Sequence, residues 1–339
     1  MPMKIAITGG AGFIGTHLAK AYLEAGHDVL IIDSLVHGSR HALDSRARFY
    51  QVDIRESNIH TILQQERPDI VSHHAAQRPH MLIGEQSLLD ADVHVRGLLN
   101  ILDACVNASI PKFIYISGGN NLYRPMDAEY RLVTENAPFY PRSPHAISKV
   151  AGEWYVRYYT EHYGLKHTIF RYANVYGETP EIYAMYPHHD LSYYICMLAE
   201  NRQPIIRGSG NEMQDHIFID DVVRANLCAL QRGENQTLHI SSGSSYTLNQ
   251  LFQAVAQQLR SNLQPIYLHR TCLAIEPTGV VLDNTRALHA LGWQPEIALR
   301  EGVALAVARL TKREEPGNAA RLLMTARNAE AGEAALMRA

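Results

Sequence analysis

Gly9, Gly12 and Gly15 stand between an apolar run, Lys4–Thr8, and an amphipathic run, Phe13–Glu24. No other stretch restricts the possible folds so much. Glycines at this spacing, after a strand and before a helix, let the backbone turn tightly and come close to a bound group. The helix then offers that group its free N–H donors and the positive end of its dipole. Asp33 closes the next apolar run, Val29–Ile32, about 20 residues on, where a carboxylate can hold the hydroxyls of an adenosine ribose. It would repel a 2′-phosphate, so the pattern selects NAD over NADP.

Short apolar strands continue to alternate with helical stretches, as in a parallel sheet covered by helices. Asp69–Ser72, Lys112–Ser117 and His167–Arg171 read as further strands, and Ser148–Tyr163 as a long aromatic-rich helix closed by Gly164. The expected fold class is α/β, a Rossmann-type doubly wound parallel sheet with a smaller C-terminal substrate-binding lobe. Residues 1–178, with returning segments at about 215–245, are expected to form the NAD-binding domain, and 179–313 mainly the second lobe. There Pro180, Pro187, Pro204 and a Gly208-Ser209-Gly210 turn loosen the pattern. Asp220-Asp221-Val222 opens a helix, Leu238–Ser241 reads as a strand and Leu248–Leu259 as a helix. The Ala/Arg/Glu-rich tail, 314–339, has no assigned chemistry.

A chain of 339 residues, 46% apolar and 19% charged, is long enough for a sizeable core. A net charge of −3 makes no electrostatic case for nucleic acid or a membrane surface. No apolar run approaches the roughly 20 residues of a spanning helix, and the chain enters a strand at Lys4, so a cytoplasmic location is expected. The four cysteines form no CxxC pair and read as reduced. The 18 histidines include His73-His74 and His188-His189-Asp190, but none has the spacing of a zinc motif, and no metal is expected.

The glycine loop Thr8-Gly9-Gly10-Ala11-Gly12-Phe13-Ile14-Gly15, together with Ser143-Pro144-His145-Ala146-Ile147-Ser148-Lys149, resembles the extended short-chain dehydrogenase/reductases, the family of sugar-nucleotide epimerases and dehydratases. Asp33–Arg40 resembles its D-x-L-x-x-G-x-R loop around the adenosine, and Val52-Asp53-Ile54 its acidic contact to adenine. His73-His74-Ala75-Ala76-Gln77 resembles its H-x-A-A turn. Arg171–Gly177, Asp215–Val222 and Leu291-Gly292-Trp293 resemble its R-x-x-N-V-Y-G, D-F-x-x-V-D-D-V and L-G-W segments, so the likeness runs over residues 3–310. It implies NAD bound by Gly9, Gly12, Phe13, Ile14, Gly15, Asp33, Ser34, His37, Gly38, Asp53, Ile54, His74, Ala75, Ala76, Gln77, Ser117, Lys149 and Tyr172.

In that family a tyrosine takes a hydroxyl proton while the carbon gives a hydride to the nicotinamide. The lysine four residues on holds the nicotinamide ribose, and a serine or threonine bonds the reacting oxygen. Lys149 is kept here, but His145 stands at the tyrosine position and Gly119 at the Ser/Thr position. Asn120 and Asn121 replace the Asp-Glu pair of the dehydratases, so epimerisation or dehydrogenation is expected rather than 4,6-dehydration. Histidine, with an ordinary value of about 6.5, accepts a proton without activation. An imidazole reaches less far than a phenol, so the substrate must sit closer or a water must relay the proton. His145, Lys149, Tyr123 and Asn121 are the candidate catalytic residues.

Gly119, Asn120, Asn174, Arg207, Gln214 and His80 are the candidate substrate contacts. Gln214 replaces the family's diphosphate-binding arginine, Arg207 replaces its base-stacking aromatic, and Glu276–Val281 offers no second arginine. The substrate is then a sugar nucleotide bound in another way, or a smaller sugar or polyol without a carrier. A different class also stays open: an NAD-binding sensor or scaffold whose site no longer catalyses. Trp154, Tyr155, Tyr158 and Tyr159 give the lysine-bearing helix more apolar surface than one core face needs, which suggests a homodimer.

Overall fold

The computed structural model describes residues 1–77, 87–124, 131–178, 191–268 and 279–312. Its main sheet contains β1 (Lys4–Thr8), β2 (Asp28–Asp33), β3 (Arg48–Gln51), β4 (Ile70–His73), β5 (Lys112–Ser117), β6 (Lys166–Tyr172) and β7 (Gln236–Ile240). All pairs are parallel, in the order β7-β6-β5-β4-β1-β2-β3. Successive side chains point to opposite faces. Ile5, Ile7, Val29 and Ile31 enter one apolar cluster, while Ala6, Leu30 and Ile32 enter the other. Both faces are buried, which is why these strands read as unbroken apolar runs rather than as an alternation. Strand order reverses between β1 and β4, so their C-terminal ends, paired at Thr8 and His73, form the crevice where such sheets bind ligands.

A second sheet takes Ser245–Thr247, Met213–Phe218, Val280–Leu282 and Arg131–Val133 in that order, with Asn174–Tyr176 beside Met213–Phe218. The sequence boundary puts 131–133, 174–176 and the start of 215–245 with the first domain. Their strands pair in the second sheet instead, because the chain crosses over at Ala173, whose N–H donates to Ile240 O at 2.9 Å. The buried Asp215 carboxylate ties that sheet together, accepting from Ser242 N (3.0 Å), Ser242 Oγ (2.8 Å) and Leu282 N (3.4 Å). The tail beyond residue 312 lies outside the described residues.

The aromatic helix begins at Pro144, one turn before the expected Ser148. Ser143 caps it, its hydroxyl accepting from Ala146 N at 3.1 Å, Pro144 takes the first turn, and Gly164 closes it at φ 72°. His145 therefore rides in the first helical turn, one turn before Lys149. Trp154, Tyr155 and Tyr158 are exposed as expected, whereas Tyr159 turns inward, only 6% exposed, and its hydroxyl donates to Asp103. Among the described residues no helix is long and apolar enough to cross a membrane.

Several buried imidazoles make the fold sensitive to acid. Desolvation brings His239 down to about 3 and His167 to about 4, and lowers His73 and His94 as well. The unfolded chain protonates these rings near 6.5 and the folded chain only below that, so stability is lost as pH falls through the interval. Asp215, pushed up to about 7 by burial, opposes them, since its folded form gains a proton first. Four imidazoles outweigh one carboxyl. The urea midpoint should drop between pH 7 and pH 5, and a rise would contradict this balance.

Candidate active site

The glycine loop closes on the segment after β4. Gly9 adopts φ +70°, and a Cβ there would lie 2.6 Å from Ala75 N; a Cβ on Gly15 would lie 2.4 Å from Gly9 O. Only glycine fits at either place. Gly12 differs: a Cβ there would meet nothing of the protein closer than Gly9 O at 3.3 Å. The open space in front of it faces a helix, Phe13–Glu24, with no side-chain cap and no acidic residue in its first turn. Orphan N–H donors at an unshielded N-terminus suit a pyrophosphate, so the residues fit the dinucleotide that the loop implies.

Around that space the structure gathers most of the expected cofactor residues. Asp33 accepts from Ala11 N at 3.0 Å and Leu35 N at 2.8 Å, and Ser39 N donates to Ala11 O at 3.1 Å, which folds the loop carrying Ser34, His37 and Gly38 onto the glycine turn. Phe13 and Ile14 open the helix beside it. His74, Ala75, Ala76 and Gln77 follow β4, and Ser117 ends β5 with its buried hydroxyl unpartnered. Two expected contacts are otherwise engaged. Asp53 is held in a fork by Arg55 (2.9 and 2.7 Å), with Ile54 packed against Gly97. The Tyr172 hydroxyl is buried and accepts from Asn226 at 2.7 Å.

Lys149 is buried over the Tyr115 ring, its Nζ donating to Ile116 O at 2.9 Å. Burial lowers it to about 8, with the nearby Asp90 charge acting in the other direction. His145 lies one turn earlier with its Nδ1 3.5 Å from Asp90 Oδ2, and its ring meets the edge of His94 at 4.7 Å between centroids. Asp90 and His94 have no place in the sequence-based site. Asp90 lies in the short helix Ser87–Ala91, and His94 sits in a π-helical turn, Asp92–Gly97. Their i,i+4 spacing, the same as that of His145 and Lys149, is the one signal that could have paired them. One ligand atom from each of Asp90, His94 and His145 lies within 4.8 Å of the others, a grouping that no spacing motif would find.

The remaining candidates divide. Tyr123 is drawn into the interior, donating to His239 Nε2 and accepting from Arg171, both at 2.6 Å, so its hydroxyl is committed away from the crevice. Asn120 Nδ2 donates to Asp215 O at 3.3 Å, while Asn120 Oδ1 and Asn121 Oδ1 are buried without partners. Asn174 Nδ2 donates to Gln214 Oε1 at 2.8 Å, joining two expected substrate contacts to each other. His80 and the Arg207 side chain lie outside the described residues. At Gly119 a Cβ would lie 1.8 Å from Tyr172 O, so this backbone cannot carry a serine. Gly119→Ser should destabilise the protein by about 3 kcal/mol or more, above the ordinary cost of overpacking, and add no activity. A thermal melt beside a rate assay checks both.

A glycine-rich helix start at the sheet's switch point, with a buried lysine bonded to the end of β5, fits a dinucleotide-dependent enzyme of the short-chain dehydrogenase type. Residues 5–241 match the NAD dependent epimerase/dehydratase family, and the chain belongs to it. A UDP-glucose 4-epimerase of Mycolicibacterium smegmatis is 32% identical over 314 residues, 90% of this chain and 97% of that one. Among solved structures, a UDP-glucose 4-epimerase of Thermotoga maritima with UDP-glucose superposes with a TM-score of 0.86 at 32% identity, covering 92% of this chain and all of that one. A UDP-glucose 4-epimerase of Thermus thermophilus in complex with NAD gives 0.83 at 28% identity, over 92% and 100%.

Proposed function

We propose that the protein epimerises a sugar or sugar nucleotide through a transient ketone, with His145 as acid/base and NAD retained through the cycle. The observation that supports this is that His145 lies one turn before the buried Lys149 and beside Asp90 and His94, the latter bonded to Gln77 after β4. Bound NAD supplies the hydride acceptor. Gly12 and the helix start would hold its pyrophosphate, Asp33 its adenosine ribose and Lys149 its nicotinamide ribose. His145 takes the proton of the substrate hydroxyl as that carbon gives up its hydride, and returns it when the hydride comes back to the other face.

Absorbance at the NADH band, followed while NAD-loaded protein meets a panel of sugar nucleotides and free sugars, tests the reading. A transient or net signal supports it. Silence with NAD bound favours a second reading, an NAD-binding protein that no longer catalyses, which the closed Gly119 position supports. The Asn174–Gln214 bond favours carrier-free sugars as part of the panel, since it replaces an arginine grip with a neutral pair. The exposed face of Trp154, Tyr155 and Tyr158 supports a homodimer, and light scattering should give twice the chain mass.

A further inference from the structure

Exchanging tyrosine for histidine alters the charge of the site. A tyrosinate that takes a proton goes from minus one to neutral, whereas an imidazole goes from neutral to plus one. At His145 that new charge would appear beside the Lys149 ammonium, in a largely buried pocket, where an uncompensated charge is costly. The structure supplies the missing unit. Asp90, 6% exposed, brings Oδ2 to 3.5 Å from His145 Nδ1, and taken together Asp90 and His145 go from minus one to neutral on protonation, as the tyrosine does. His145 Nδ1 is buried without a hydrogen bond and Asp90 Oδ2 is the carboxylate oxygen nearest it, while the other oxygen, Oδ1, is also buried without a partner. A separation of 3.5 Å is at the edge of hydrogen bonding, and such contacts tighten when the ring gains charge.

We infer that Asp90 is the positioning residue for His145: it takes the Nδ1–H bond, leaves Nε2 bare as the proton acceptor and compensates the imidazolium. This rests on the reading that His145 moves the proton. His94 completes the arrangement. Its Nε2 accepts from Gln77 N at 3.2 Å, its burial keeps it neutral, and its ring meets His145 at 81°. The charged groups facing His145 are thus Asp90 across the pocket and Lys149 on its own helix. The same three side chains could surround a dication, an alternative that the test below separates from the proton.

The test uses the NAD-loaded full chain with ¹⁵N-labelled histidine and needs no substrate. The neutral His145 ring should carry its proton on Nδ1. In Asp90→Asn the ring should lose that preference and carry its proton mainly on Nε2, and Asp90→Glu should restore Nδ1. A wild-type ring protonated on Nε2 overturns the inference without any variant, as does an unchanged tautomer in a folded Asp90→Asn. So does near-stoichiometric zinc in the purified protein that Asp90→Asn abolishes. A silent sugar panel with these shifts present would sink the epimerase reading alone, whereas active protein without them would sink only the role of Asp90.

Discussion

His145→Phe should lower hydride transfer to bound NAD by about 10³-fold or more, within the range that a positioned acid/base contributes, and leave NAD binding nearly unchanged. Phenylalanine keeps the ring contact with His94 and the bulk beside Asp90 but has no nitrogen to take a proton. No neighbour can step in easily. The Tyr123 hydroxyl is held between Arg171 and His239, Gly119 has no side chain, and the Lys149 ammonium donates to Ile116 O. Stopped-flow absorbance at the NADH band, beside a binding titration, separates the two effects. A variant that keeps its rate would move the proton to Lys149 or to a water and end the case for His145. A variant that loses NAD as well would show that the ring only shapes the pocket.

The cofactor half of this site was legible in the sequence because its determinants are local. A glycine turn, a strand before it, a helix after it and an acid closing the next strand all lie within one βαβ unit. His145 and Lys149 could be paired for the same reason, four residues apart on one helix. The acidic partner of His145 could not, since Asp90 lies far from it along the chain on a short helix, Ser87–Ala91, and its neighbour His94 sits in a π-helical turn that no periodicity announces. Tyr123 shows the opposite error. Its place in a motif pointed to the substrate, but the buried guanidinium of Arg171 needs acceptors, and that demand drew the hydroxyl inward. The crossing of strands between the two sheets was not legible, because pairing partners such as Val281 and Leu132 are far apart in sequence.

Arg171 anchors the helix that carries His145 and Lys149, and its loss should cost the fold heavily. It is 1% exposed on β6, and its guanidinium grips Glu153 in a fork at 2.8 and 2.6 Å, reaches Glu135 O at 3.0 Å and lies over the Phe139 ring. Glu153 is fully buried, one turn after Lys149, so this pair holds the helix Pro144–Tyr163 to the sheet. Arg171→Met leaves that carboxylate buried with only Arg157, at 3.1 Å, to answer it. Breaking a buried pair from one side costs about 3–5 kcal/mol, on the order of 10 °C in melting temperature at ~2–4 °C per kcal/mol. Removing both charges, Arg171→Met with Glu153→Leu, should recover much of that loss, because the cost is the stranded carboxylate rather than the missing attraction. A single variant that melts within about 2 °C of wild type would mean that Glu153 finds water or a proton, and that the helix is held by its apolar contacts instead.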